Sequence, residues 1–166
     1  MYKRQSQGGS SKEQSEKEQN ASRATEELTV ALKEQIDQGL IEVEQRDGKV
    51  FVTVGSGGAF PSGTADLTGE AQRIMDRIAL TAMSPDSSIT VTGHTDDVPI
   101  SNGQFRDNWD LGAGRAASVV QAIQSTGLIS GDRLSAVSKG EMVPVADNNT
   151  AAGRKQNRRI EIEISY

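Results

Sequence analysis

The sequence predicts an α/β (α+β) fold, a two-layer sandwich in which a mixed β-sheet carries helices packed on one face, preceded by an N-terminal helix. Three observations lead there. Strict alternation of apolar and polar residues runs through "LIEVEQRDGKVFVTV" and "NRRIEIEIS", the period of strands with one buried face. Apolar residues recur at helical spacing after Thr68 and after Asn108. The elements follow in the order helix, hairpin, helix, strand, helix, strand, strand, which helices on one face of a mixed sheet fit best.

The bulk numbers bound the possibilities. A chain of 166 residues has room for one ordinary domain and a tail. Its hydrophobic content of 34% and charged content of 25% support a modest core. A formal net charge of -5, with no basic run longer than Arg158-Arg159, argues against a nucleic-acid partner. Cysteine is absent, so a disulfide framework, a thiolate zinc site, a cysteine nucleophile and a lipid-anchored cysteine are excluded from this chain. No apolar run approaches the roughly 20 residues that span a bilayer, and no secretory segment is present. The chain reads as cytosolic, or as the soluble piece of a longer protein.

Residues 1–21 are Ser, Gln, Lys, Glu and Gly with almost nothing apolar, the composition of a disordered linker. About 20 flexible residues would have an r.m.s. span near 25 Å, and ~70 Å when extended. Residues 22–39 read as the N-terminal helix: Ala24, Leu28, Ala31, Leu32 and Ile36 fall on one stripe, Ser22 is placed to cap it and Gly39 to stop it. That apolar stripe also suggests pairing, hence a homodimer. Residues 40–166 form the folded domain. Asp47-Gly48 marks a hairpin turn, and "GSGGAFPSGTA" an irregular loop. Thr68 then caps a helix whose Ala71, Ile74, Met75, Ile78 and Ala82 share a face. "SSITVTGH" is a strand that delivers His94, Asp96 and Asp97 into a long polar loop. "NWDLGAGRAASVVQAIQSTG" is a helix ended by Gly127, "RLSAVSKG" a short strand, and Ile160, Ile162 and Ile164 line one face of the last strand.

The chemistry turns on "TGHTDDVPI", which holds the only histidine, His94. One histidine and two loop carboxylates make a weak zinc set, and no other nitrogen or sulfur ligand is at hand. No G-x-S-x-G elbow supports a Ser-His-Asp hydrolase. Adjacent Asp96 and Asp97 do not give the separation that two glycosidase carboxylates need. "GSGG" lacks the lysine of a phosphate cradle. No metal or cofactor is implied, and no enzyme. What remains is a grip. Arg115 falls at the rim of its helix's buried stripe, beside Leu111, and that helix starts soon after the Asp96 loop. Asp96 and Arg115 either pair with each other or face each other across a pocket. In the second case they would hold a zwitterion, an ammonium on Asp96 and a carboxylate on the guanidinium fork.

Four stretches in order, "FPSGTADL", "TGHTDD", "NWDLGAGRAASV" and the "GR-x-x-NRRIEI" run, resemble the OmpA-like peptidoglycan-binding domain over roughly residues 40–165. The resemblance implies an OmpA-like β/α sandwich that binds the diaminopimelate-containing stem peptide of peptidoglycan without turnover. It carries the gripping roles onto Asp96 and Arg115, and adds Asn108, Leu111, Asn157 and Arg158; His94 joins the site by orienting the Asp96 loop through a hydrogen bond. Asp97 is left solvated or fixing the turn before Pro99. One departure stands out: the family helix usually reads Leu-Ser before its Arg, whereas here it reads Leu111-Gly112, with Gly114 close by. Each Gly costs roughly 1 kcal/mol of helix stability against Ala, which predicts a looser site.

The loop "DDVPISNGQFRDNWDL", with the polar N-terminal segment, is similar to the B subunit of flagellar motor stators, the MotB/PomB group. The acidic, Gln-rich character leans towards the sodium-driven PomB type. This implies the periplasmic domain of an inner-membrane protein in a Gram-negative bacterium, with peptidoglycan, the stator A subunit (through a membrane segment outside this chain) and other motor ring proteins as partners. The alternatives are a general envelope-linking protein and a peptidoglycan-processing hydrolase using His94 and Asp96.

Overall fold

In the computed structural model, which describes the backbone of residues 2–166 and the side chains of residues 11–166, the sheet is organised around the C-terminal strand. Strands β1 (Ile41–Arg46), β2 (Lys49–Gly55), β3 (Ser88–His94), β4 (Leu134–Gly140) and β5 (Arg159–Ser165) lie in the order β1-β2-β5-β3-β4. All neighbours are antiparallel except β3 and β4. The β1–β2 turn holds Asp47 and Gly48 at φ 53° and 73°. Two successive left-handed residues give the tight turn whose twist suits flanking strands. On β5, Ile160, Ile162 and Ile164 sit opposite Val54, Val52 and Val50 on one side and Gly93, Val91 and Ile89 on the other. The strand alternation thus becomes one continuous apolar face.

Helices α1 (Tyr2–Ala31), α2 (Lys33–Asp37), α3 (Ser56–Ala59), α4 (Gly69–Ala82), α5 (Asn108–Ser125) and α6 (Ala151–Asn157) complete the chain, with one 3-10 turn at Gly131–Arg133. The apolar sheet face, α1, α4 and α5 share one core. The Thr68 side chain accepts from Ala71 N–H at 3.2 Å and starts α4, and Ala71, Ile74, Met75, Ile78 and Ala82 are buried as the spacing predicts. Helix α5 supplies the crossover that the parallel β3–β4 pair needs; the Asp107 side chain caps it by accepting from Asp110 N–H at 2.9 Å.

The N-terminal boundary differs from the expectation of a disordered 1–21 and a helix capped by Ser22. Helix α1 is already formed at Tyr2, and Ser22 lies in its interior. Buried Ala21 extends the stripe of Ala24, Leu28 and Leu32 by a turn, while Ala31 is exposed. Gln45 on the hairpin donates to the Glu18 carbonyl at 3.3 Å and to Ser22 Oγ at 3.0 Å. A helix docked this way propagates through Lys12–Gln19, which are mostly good helix formers. Ala24, Leu28 and Leu32 of the stripe are spent in the chain's own core. Two further elements lie in stretches without a periodic signal: the single turn α3 inside the glycine-rich loop, and α6.

Candidate functional site

The end of β3 and the start of α5 come together through glycine. A Cβ on Gly93 would stand 2.1 Å from the Gly112 carbonyl oxygen, and one on Gly112 would stand 2.5 Å from Ser138 Oγ and 3.1 Å from the Gly93 oxygen. Bare backbone on both elements lets α5 lie directly on the strand. Gly114 plays a similar part beside the buried Phe105, whose ring would meet its Cβ at 2.9 Å. The glycines therefore set a close approach of α5 to its neighbours.

Beyond this contact opens a cleft of about 520 Å³ lined by Asp96, Asn108, Leu111, Arg115 and Arg158 together with Ser56, Phe60, Arg154 and the loop around Val98–Ile100. Its size suits a small ligand or a peptide end. Asn108, buried in the first turn of α5, donates to the carbonyls of Asp96 at 3.3 Å and Val98 at 3.1 Å, tying the Asp96 loop to the helix. The Asp96 carboxylate accepts from Val98 N–H at 3.1 Å through Oδ1 and from Arg158 Nη1 at 2.7 Å through Oδ2. Arg115 is 5% exposed. Its Nε–H donates to the Thr64 carbonyl at 2.8 Å, and its guanidinium lies 4.9 Å from the centre of the Phe60 ring. Among the described residues the Nη groups of Arg115 have no acceptor, so its fork is held from behind and left free in front. Burial, then the neighbouring Arg158 charge, pull the Arg115 pKa down to about 10, with Asp96 opposing. Arg115 stays cationic at neutral pH, and an arriving carboxylate would relieve that crowding.

Of the two arrangements left open by the sequence, the pairing of Asp96 with Arg115 is not found. Both line one cleft, but the partner of Asp96 is Arg158. Two expected site residues lie elsewhere. His94 falls opposite Arg159 in the β3–β5 register, one residue past Gly93, which faces the core. It therefore points to the other face of the sheet, where its Nε2 lies 3.1 Å from Glu161 Oε2. It is tied to β5 rather than to the Asp96 loop. Asn157, the last residue of α6, is fully buried: its Oδ1 accepts from Val145 and Ala146 N–H at 2.7 and 2.9 Å, and its Nδ2 donates to the Ala146 carbonyl and Asn148 Oδ1. It fastens the 145–148 loop and does not reach the cleft. Asp97 is exposed.

The sequence reading missed Phe60, Thr64 and Arg154. Phe60 and Thr64 lie in "FPSGTADL", where an aromatic amid small polar residues was the available signal. Arg154 follows Gly153, where a Cβ would stand 1.8 Å from the Asp147 carbonyl oxygen. That glycine lets α6 sit against the loop, and Arg154 Nη1 then donates to the Asn148 carbonyl at 2.8 Å. Among the described residues, no cluster of three or more His, Asp or Glu is arranged to hold a metal ion. No described helix is long and apolar enough to cross a membrane.

Comparison with known proteins gives concordant results. The OmpA family matches residues 59–158. Motility protein B of Bacillus subtilis is 33% identical over 75% of this chain and 48% of its own length. Motility protein B of Helicobacter pylori is 31% identical over 91% of the chain and 58% of its own length. The chain thus spans about half of these relatives. Among solved structures, a MotB-like protein from Desulfovibrio vulgaris superposes with a TM-score of 0.80 at 27% identity, covering 92% of this chain and 94% of that one. The cell wall anchor of the T6SS from Pseudomonas aeruginosa superposes with a TM-score of 0.76 at 32% identity, covering 83% and 96%.

Proposed function

Because the chain belongs to the OmpA family, whose peptidoglycan-binding domains are non-catalytic, we propose that its cleft grips the stem peptide of peptidoglycan. In this reading the ammonium of a diaminopimelate unit meets Asp96, and the carboxylate on the same carbon meets the free fork of Arg115 in a bidentate pair. Asn108 and Leu111 shape the wall, and Arg158 completes the charge. One observation carries the reading: Arg115 is immobilised by the Thr64 carbonyl and the Phe60 ring with its outer nitrogens unpaired, in the cleft that also holds Asp96. A fork preorganised at this level loses little entropy on binding a carboxylate.

The similarity to motility protein B over 75% and 91% of the chain supports a stator role. The domain would lie in the periplasm and hold an ion-driven complex of B and A subunits to the wall, so that torque has a fixed point to react against. The PomB type and sodium coupling rest on the acidic, Gln-rich sequence alone. The T6SS anchor favours a second reading, an envelope-linking protein outside the motor with the same grip. The reading frame upstream separates the two: one apolar helix bearing an acidic residue marks a stator.

The grip itself is tested by co-sedimentation with purified peptidoglycan sacculi at fixed salt. The parent chain is expected to pellet with the sacculi, and Asp96→Asn and Arg115→Ala to remain in the supernatant although folded. Undiminished pelleting of both variants would remove the zwitterion grip.

A further inference from the structure

The charges of the cleft do not balance against the zwitterion alone. Its lining carries the guanidinium groups of Arg115, Arg154 and Arg158 against the single carboxylate of Asp96. A zwitterion adds no net charge, so it leaves this excess of cations where it was. Its ammonium also arrives at a carboxylate that is already engaged, since Asp96 Oδ2 accepts from Arg158 at 2.7 Å. An ammonium drawn to Asp96 competes with Arg158 for that oxygen and leaves the guanidinium open to a new anion. Arg158 is placed to find one. Its side chain is 38% exposed, and among the described residues only its Nη1 has a hydrogen-bond partner. Arg154, on the same wall, uses only Nη1, towards Asn148. Beside them Ser56, whose N–H donates to the Arg158 carbonyl at 2.9 Å, has a buried hydroxyl with no partner among the described residues.

Resting on the stem-peptide reading above, we propose that this wall is a second anion subsite, at which Arg158, supported by Arg154 and Ser56, takes a further carboxylate of the same peptide. Binding is then an exchange. The ligand ammonium takes Asp96 from Arg158, and a second ligand carboxylate takes Arg158 in turn. The protein thereby selects peptides whose other carboxylates are free acids, and it rejects those in which they are carboxamides. A carboxamide keeps the shape but cannot neutralise Arg158, and a charge-assisted hydrogen bond is about twice as strong as a neutral one.

The test is isothermal titration of the whole chain with two N-acetylated L-alanyl-γ-D-glutamyl-diaminopimelate peptides. In one, all carboxylates are free; in the other, every carboxylate except the one beside the ammonium is a carboxamide. The free acid is expected to bind about tenfold more tightly at physiological ionic strength, which corresponds to ~1.4 kcal/mol. Arg158→Gln, checked for folding by circular dichroism, is expected to weaken the free acid and to bring the two peptides within about twofold. Arg106→Gln, which removes an exposed cation outside the cleft, is expected to leave the discrimination intact. Equal affinity of the parent chain for both peptides would overturn the second subsite and leave the zwitterion grip standing. Binding of neither peptide nor sacculi would overturn the grip itself. Discrimination that survives Arg158→Gln, or that Arg106→Gln also abolishes, would overturn the assignment to Arg158.

Discussion

Replacing Gly93 by alanine perturbs the site without touching any residue of the cleft. The added Cβ would stand 2.1 Å from the Gly112 carbonyl oxygen, 2.8 Å from its carbon and 3.0 Å from its Cα. Ordinary contact lies near 3.5 Å, so α5 would have to rise from β3 by roughly 1 Å or more. All three neighbours are backbone atoms, and no rotamer change relieves the clash. Overpacking of this kind costs about 1–3 kcal/mol, a fall in Tm of roughly 3–10 °C for a chain of this size. The geometric effect is the more telling one. Asp96 follows the end of β3, whereas Arg115 rides on α5 one turn beyond Gly112. Lifting the helix changes the separation of the two charges, and a displacement near 1 Å in a preorganised site costs about 10- to 100-fold in affinity. Thermal melting and sacculus co-sedimentation below Tm read the two effects separately. Gly103→Ala is the control, since a Cβ there meets nothing within 4 Å. A Gly93→Ala chain that melts with the parent and pellets with sacculi as well as the parent would refute the idea that glycine contact sets the spacing of the grip.

Asn157→Ala leaves the buried N–H groups of Val145 and Ala146 without their acceptor and should destabilise the chain by about 2–4 kcal/mol in urea titration. The fraction that stays folded should still pellet with sacculi, within about threefold of the parent, and a selective loss of pelleting would return Asn157 to the ligand. The Glu161 carboxylate, hydrogen-bonded by His94 first and helped by Arg159, is held down at about 2 from an ordinary 4.5. A depressed carboxylate stabilises the fold above the unfolded value and loses that contribution as pH falls from about 4.5 through 2. The full equivalent, about 3 kcal/mol, falls to roughly 1 kcal/mol because the side chain is 40% exposed and screened. Parent and Glu161→Gln should therefore differ by about 1 kcal/mol in urea titrations at pH 7 and converge near pH 2; a gap of constant size would assign the difference to packing.

Much of the fold was legible because local and global signals agree. Asp47-Gly48 supplies the turn, Ile160, Ile162 and Ile164 the central apolar row, and Thr68 the cap of α4. Asp96 and Arg115 were found by following a strand end and a helix face to one place. The partner of Asp96 could not be found that way: Arg158 lies 62 positions along the chain, beyond any periodicity, and the family resemblance brought it to the site. His94 was misplaced by a parity of one residue, since the alternation that turns Gly93 to the core turns its neighbour away. Asn157 shares a motif with Arg158 yet serves the loop behind it. Helix α6 has seven residues, too few for a stripe to be read. The extent of α1 was hidden because Lys12–Gln19 make a helix with a solvated surface, and their composition alone fits a linker equally well.

Helix α1 also fixes how the domain would respond to force. A disordered tether absorbs tension by straightening, whereas a helix rises only 1.5 Å per residue and behaves as a strut. Tension arriving from its N-terminal side meets first the hydrogen bonds from Gln45 to Glu18 and Ser22, and then the apolar contacts of Ala21, Ala24, Leu28 and Leu32 with the core. No backbone ladder joins α1 to the sheet, so those contacts can peel away while β1 to β5 keep their register. With the cleft gripping the wall as proposed, α1 would act as a fuse in series with it: under rising load, α1 would detach and lengthen before the strands that hold Asp96 and Arg158 in place begin to part.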